Sequence, residues 1–223
     1  MIQPTPQKAN VYIDGFNFYN GLVASNWKQY FWLDMVSLAN EMLGSLAKKP
    51  TLNNVYYFSA PPYMHVGKEK RQRRFFTANQ QNSQFKLVLG HHKDKSKNCY
   101  SCGTKIAMSE EKQTDVNIAL KMLGCAAKDE CNLSILVSGD TDMIPIIKAI
   151  KDIKSAHQVM IFFPPSRKTH EMIQYADGWR DLLTLEPIFK KSIFPEKVEL
   201  KVPEGTNTHI EIPLKWKPFM PKV

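Results

Sequence analysis

Three acidic segments, far apart in the chain, carry the residues best suited to chemistry: VYIDGFNFYN at 11–20, EEKQTDVNIAL at 110–120 and ILVSGDTDMIPII at 135–147. In the first and third, a run of β-formers ends in an aspartate, Asp14 and Asp140, as if a strand delivered a carboxylate to the rim of a sheet. In the second, Asp115 stands near the start of a helical pattern. Carboxylates gathered at one rim repel each other, and the commonest reason to gather them is a divalent cation. Asn17 adds a neutral oxygen or amide three residues after Asp14, and Asp142 follows Asp140 by two. Such an oxygen-rich set suits Mg²⁺ or Mn²⁺ and suits zinc poorly.

Each aspartate also has a plain structural reading. Asp14-Gly15 is a turn signal, Asp140 and Asp142 in SGDTD can cap a helix, and Asp115 or Glu111 can serve as a charge at a helix N-terminus. Their joint occurrence in topologically matching places favours a shared site. In an open α/β sheet, ligands bind beyond the carboxyl ends of the strands, near the point where strand order reverses.

Other segments carry secondary chemistry. Lys68, Lys70, Arg71, Arg73 and Arg74 crowd into GKEKRQRRFF, and Lys93, Lys95 and Lys97 form a second basic cluster. Beside an acidic metal pocket, such side chains would neutralise the phosphates of an incoming strand; the alternative is a solvated helix face with Phe75 and Phe76 in the core. Cys99 and Cys102 form a C-x-x-C followed by glycine, the shape of a zinc knuckle. One knuckle is half a tetrahedral site, with His91 and His92 as the nearest completers and a reduced thiol pair as the alternative. Cys125 and Cys131 read as buried packing. Phe16, Phe18, Tyr19, Trp27, Tyr30, Phe31 and Trp32 read as core or groove wall, with Phe16 or Tyr19 placed to stack a base.

The elements that would position these residues alternate between apolar runs and amphipathic stretches, the pattern of a parallel α/β sheet. Strands are expected at 10–14, 54–59, 85–90, 133–138 and 158–163, with a short edge strand at 182–185. Helical periodicity covers parts of 16–48, 68–81, 111–127, 143–152 and 168–175. In the 111–127 helix, Val116, Ala119, Leu120 and Leu123 are expected to face inward. Residues 91–109 lack periodicity and read as an inserted loop. Beyond Pro187, VELKVP and HIEIPLKW alternate around EGTN, which predicts a β-hairpin outside the α/β core. The expected organisation is a domain over 1–188, carrying the 91–109 insertion, and an extension over 189–223.

Composition bounds the function. At 223 residues with 43% hydrophobic content, the chain can bury a real core. A formal net charge of +9 suggests a polyanionic partner, most simply nucleic acid. No stretch is long enough to span a bilayer, no apolar leader stands at MIQPTPQKAN, and four cysteines do not make a secreted disulfide framework. The expectation is a cytoplasmic protein with no membrane partner.

VYIDGFNFYNGL resembles the opening motif of the NYN domain family, within the PIN-like nuclease superfold. EEKQTDVNIALKML resembles its second motif, SGDTDMIPIIKAI its third, and FFPPSRKTHEMIQYADGW its closing segment, so the likeness spans about residues 8–186. It is strongest to the LabA/DUF88-type branch, whose members often carry a Cys-x-x-Cys before the second motif. Two departures stand out: Gln113 where glycine is common, and Met143 where phenylalanine is common. The resemblance implies a three-layer α/β/α fold and metal-dependent ribonuclease chemistry, with an endoribonuclease or an RNA-processing nuclease as the leading reading. It assigns Asp14, Asn17, Asp115, Asp140 and Asp142 to the acidic pocket, with Asp14, Asp115, Asp140 and Asp142 as metal ligands. It implies one or two Mg²⁺ or Mn²⁺ ions that activate water and steady the attacking and leaving oxygens. RNA is the implied partner, single-stranded DNA a further candidate strand, and a homodimer an admissible assembly. The competing readings are a non-catalytic RNA-binding or protein-interaction regulator that keeps the pocket, and a small-molecule phosphohydrolase, which the positive charge disfavours. A haloacid-dehalogenase-type phosphatase fits poorly, because Gly-Phe-Asn follows the first aspartate.

Overall fold

A computed structural model of the chain describes residues 7–60, 66–98, 100–200 and 208–220. Strand β1 (Lys8–Asp14) runs through the middle of a six-stranded parallel sheet. Its side chains alternate between two hydrophobic layers, as a period of two requires: Ala9, Val11 and Ile13 enter one and Tyr12 the other. The remaining strands are β2 (Thr51–Ser59), β3 (Phe85–Leu89), β6 (Leu133–Val137), β7 (Gln158–Phe163) and β8 (Gly178–Asp181), in the order β3-β2-β1-β6-β7-β8. Strand order therefore reverses between β1 and β6, which pair in parallel with Ile13 opposite Val137. Both strands end at the crevice where an open sheet binds its ligands.

Helices cover both faces. On one side, α1 (Gly15–Ala24), α2 (Met35–Gly44), α3 (Val66–Asn79) and α7 (Glu186–Lys191) contribute Phe18, Leu38, Met42, Phe75, Phe76 and Phe189 to a core that also holds Trp32 and Tyr30. On the other side, α4 (Thr114–Ala127), α5 (Ile144–Ile153) and the short α6 (His170–Ile173) pack Ile118, Met122, Ile146, Ile147, Ile150 and Met172. The result is a three-layer α/β/α fold. Among the described residues no helix is long and apolar enough to cross a membrane.

Several expectations need correction. Helix α4 starts at Thr114 and its inward face is rotated from the expected one: Ala119 and Leu123 pack against the core as expected, but Val116 and Leu120 are 58% and 64% exposed, while Ile118, Met122, Cys125 and Ala126 are buried. Both stripes satisfy helical spacing, and packing against α5 and the sheet selected between them. Residues 91–109 do not form an irregular loop. β4 (His91–Asn98) pairs antiparallel with β5 (Lys105–Lys112) from His91–Lys112 to Asn98–Lys105, a ribbon whose first strand, HHKDKSKN, has a polar sequence without apolar alternation. Glu111 accordingly lies on β5, opposite His92, and not at a helix start. The edge strand falls at β8, and 182–185 is a 3₁₀ turn capped by Asp181.

The C-terminal hairpin is present as β9 (Lys197–Glu199) paired antiparallel with β10 (His209–Glu211); its turn, 201–207, lies outside the described residues. It does not stand apart from the core. Val198 and Ile212 are buried in the layer beneath α2 and α3, and Trp216 packs against Trp32 with ring centroids 6.4 Å apart.

Candidate active site

Asp14 ends β1 and caps α1. One carboxylate oxygen accepts the Asn17 N–H at 3.0 Å, and the other accepts the Ser138 hydroxyl at 2.9 Å. Ser138 is buried just past β6, and its oxygen also accepts the Asp140 N–H at 3.1 Å. The Asn17 side-chain oxygen accepts the Gly139 N–H at 3.1 Å, so the β1 and β6 ends are tied at two points. Gly139 has a steric reason to be glycine: a Cβ there would sit 1.9 Å from the Arg167 carbonyl oxygen. The Thr169 hydroxyl donates to the Gly139 carbonyl at 2.6 Å and closes the 164–169 loop over the turn.

Asp140 is half-buried and caps the 3₁₀ turn Thr141–Met143, accepting the Asp142 N–H at 3.0 Å. Asp115 comes from the first turn of α4 and is exposed. Asp14, Asp115 and Asp140 each present a carboxylate oxygen, and these oxygens lie within 4.8 Å of one another. At that spacing each charge pair repels by roughly 1 kcal/mol in water and ~3 kcal/mol at an effective dielectric near 20. A hard divalent cation removes that cost, and three carboxylate oxygens are the donor set that Mg²⁺ or Mn²⁺ accepts. The residues present therefore fit the implied metal.

Asp142 is not part of this group. Its side chain is exposed, and the contact that ties it to the site is its backbone N–H. Gln113 precedes α4 with φ +73°, in the left-handed region, which accounts for the glycine usual at this position in the resembling family.

A cleft of about 870 Å³ opens from the carboxylates. From α3 it takes Lys68, Arg71, Gln72 and Phe75, one helical face. The basic cluster is thereby divided. Lys70, Arg73 and Arg74 do not line the cleft, and Arg73 pairs with Glu69 at 2.9 Å on the exposed side. Arg167, from the 164–169 loop, joins the lining, as does Trp216 from the C-terminal extension. Sequence reasoning assigned neither. Arg167 lay inside a recognised motif as an unremarkable basic residue, and Trp216 lay beyond the motifs altogether.

Among the cysteines, Cys99 lies outside the described residues; Cys102 is exposed with its sulfur 3.2 Å from the Thr104 hydroxyl. His91 Nδ1 is 2.9 Å from the Gln113 side-chain oxygen. Cys125 and Cys131 are buried as expected, and burial raises both thiols above their ordinary value. Phe18, Tyr30 and Trp32 are core, whereas Phe16 and Tyr19 are exposed along the cleft.

Comparisons with known proteins bear on the family and the fold. The 6-hydroxy-3-succinoylpyridine 3-monooxygenase HspA of Pseudomonas putida is 25% identical over 177 residues, covering 66% of this chain and 56% of the relative. The chain thus spans little more than half that relative's length. A Vibrio parahaemolyticus protein of unknown function shares the fold with a TM-score of 0.54 at 16% identity, covering 82% of this chain and 96% of the other. The NYN domain profile matches residues 8–183, and the chain belongs to the NYN domain family, whose fold is that of PIN-like nucleases.

Proposed function

We propose that this protein is a metal-dependent ribonuclease that hydrolyses RNA phosphodiester bonds. The observation that carries the reading is the convergence of Asp14, Asp115 and Asp140 within 4.8 Å at the mouth of a cleft that also presents Lys68, Arg71 and Arg167. Asp14, Asp115 and Asp140 would hold Mg²⁺ or Mn²⁺; such an ion lowers the pKa of water and offsets charge on the attacking and leaving oxygens. The water oxygen bonds to phosphorus, one P–O ester bond breaks, and the proton ends on the departing sugar hydroxyl.

The chain's own residues do the positioning. Ser138 orients Asp14, and the Asp142 N–H orients Asp140. Asn17 already commits its oxygen to Gly139, so its contribution to substrate is the Nδ2 amide as a donor. Lys68, Arg71 and Arg167 neutralise phosphates next to the scissile one. Membership of the LabA/DUF88-type branch, and an extension over 189–223 appended to the nuclease domain, belong to the same reading.

The test is incubation of structured and unstructured RNA with Mn²⁺, Mg²⁺ or EDTA, beside Asp140→Asn. Cleavage that needs the ion and disappears in the variant supports the assignment. Binding without cleavage in clean protein would favour a pocket-retaining RNA-binding regulator. Hydroxylation of 6-hydroxy-3-succinoylpyridine with dioxygen and a two-electron donor, without RNA cleavage, would replace the nuclease reading.

A further inference from the structure

Aromatic side chains, exposed at Phe16 and Tyr19 and half-buried at Phe31 and Trp216, form a strip lining the cleft. Phe16 and Tyr19 stand three residues apart on α1 and are 63% and 45% exposed. Both line the cleft with Asp14. Tyr19 packs against Phe31 with centroids 5.2 Å apart, and Phe31 packs against Trp216 at 5.7 Å. Phe31 and Trp216 line the same cleft, so the strip runs from the carboxylates towards the C-terminal extension.

Trp216 lies beyond the residues matched by the family profile, which end at 183. It is nonetheless firmly placed. Ile212 is buried and donates its N–H to Glu196 at 2.8 Å, the Trp216 N–H donates to the Pro213 carbonyl at 2.7 Å, and Lys217 pairs with Glu196 at 2.7 Å. The hairpin therefore delivers an indole to the groove as part of the folded core.

We propose that Phe16, Tyr19 and Trp216 form a stacking subsite for unpaired nucleobases, which makes the cleft selective for single-stranded over duplex nucleic acid. The proposal rests on the nucleic-acid reading above and adds what that reading lacks, the form of the strand. The exposed rings of Phe16 and Tyr19 beside three carboxylates are apolar surface that folding leaves in water, and a base face is the partner that suits them. Trp216 is half-buried against the core and lines the cleft with the rest of its surface. Charge complementarity selects the occupant: Lys68, Arg71 and Arg167 line the same cleft and fit a phosphate backbone whose bases lie on the rings. Bases inside a duplex already stack on each other and offer no such face. At about 870 Å³ the cleft has room for more than a lone phosphate.

The experiment is fluorescence anisotropy of the full chain with a labelled single-stranded octauridylate, and with an RNA duplex of the same length, in EDTA. Without the ion, binding is read independently of cleavage. Phe16→Ala and Trp216→Leu should each weaken single-strand binding by roughly 5- to 100-fold and leave duplex binding unchanged. Trp216→Phe should retain most of the affinity, and the salt dependence should keep its slope because phosphate contacts persist. Phe16 is largely exposed, so its variant keeps the question answerable even if Trp216→Leu unfolds. Wild-type affinity in Phe16→Ala, equal losses on single strand and duplex, or no single-strand binding by the wild type would overturn the subsite. Stacking-dependent binding with no cleavage under Mn²⁺ supports the subsite and counts against the nuclease reading alone.

Discussion

The buried Ser138 hydroxyl donates to the Asp14 carboxylate at 2.9 Å, joining two strand ends that are 124 residues apart in sequence. The same oxygen accepts the Asp140 N–H, so one side chain sets the relative position of two carboxylates. Ser138→Ala should therefore cost about 1–3 kcal/mol of stability, as expected for a buried hydrogen bond to a charged group. If cleavage is established, kcat should fall about tenfold or more with little change in KM. Thermal unfolding and steady-state kinetics read the two effects, and an unchanged kcat would remove Ser138 from the positioning role.

Asp140→Asn should stabilise the metal-free protein. Removing one of three mutually repelling charges relieves about 1 kcal/mol, allowing for solvent screening at this half-buried site. The variant should also lose the rise in Tm that Mn²⁺ gives the wild type, an increment of about 2.7 kcal/mol when the ion is a hundredfold above its Kd. Calorimetry in EDTA and in Mn²⁺ gives both numbers. Equal Mn²⁺ shifts in the two proteins would separate Asp140 from cation binding.

Gly139→Ala and Gly124→Ala should differ in sign. A Cβ at Gly139 collides with the Arg167 carbonyl oxygen at 1.9 Å, and backbone must move to admit it, at a cost of about 1–3 kcal/mol or more. At Gly124, inside α4, no atom of the described residues beyond its own helix backbone lies within 4 Å of an added Cβ, so alanine should stabilise by about 0.5–1 kcal/mol. Urea unfolding of both variants checks the contrast.

His157 makes stability depend on pH. It is buried, its Nε2 meets the Ser134 hydroxyl at 2.9 Å, and Nδ1 has no hydrogen-bond partner among the described residues. Burial first, then the nearby Lys154 and Lys151 charges, lowers its pKa from the ordinary 6.5. The unfolded chain therefore binds a proton that the folded chain refuses. The associated stability is complete above about pH 6.5 and is lost as pH falls towards the folded pKa, with a slope of up to ~1.4 kcal/mol per pH unit. Unfolding measured from pH 8 to 5 should show this decline, and His157→Gln should remove its share of it.

Local signals in the chain were sufficient for the sheet and the acidic pocket. VYID and ILVSGD each place a run of β-formers before an aspartate, and the parallel order brings Asp14 and Asp140 to one crevice. Gln113, standing where glycine is usual, takes a left-handed φ in the turn before α4. The ribbon at 91–112 was not legible locally, because HHKDKSKN has no apolar alternation to mark a strand and its pairing with β5 is a contact between two segments.

What the sequence by itself determined is five of the six strands of the sheet, most of its helices and the identity of the three converging carboxylates, because hydrophobic period and strand-ending aspartates are properties of short segments. Tertiary structure alone decided which stripe of α4 is buried, which of the five basic residues of α3 face the cleft, and that Arg167 and Trp216 join them. Those choices depend on contacts between segments far apart in the chain. The Ile212 anchor, which carries Trp216 to a groove begun by β1, exists only once the core has formed.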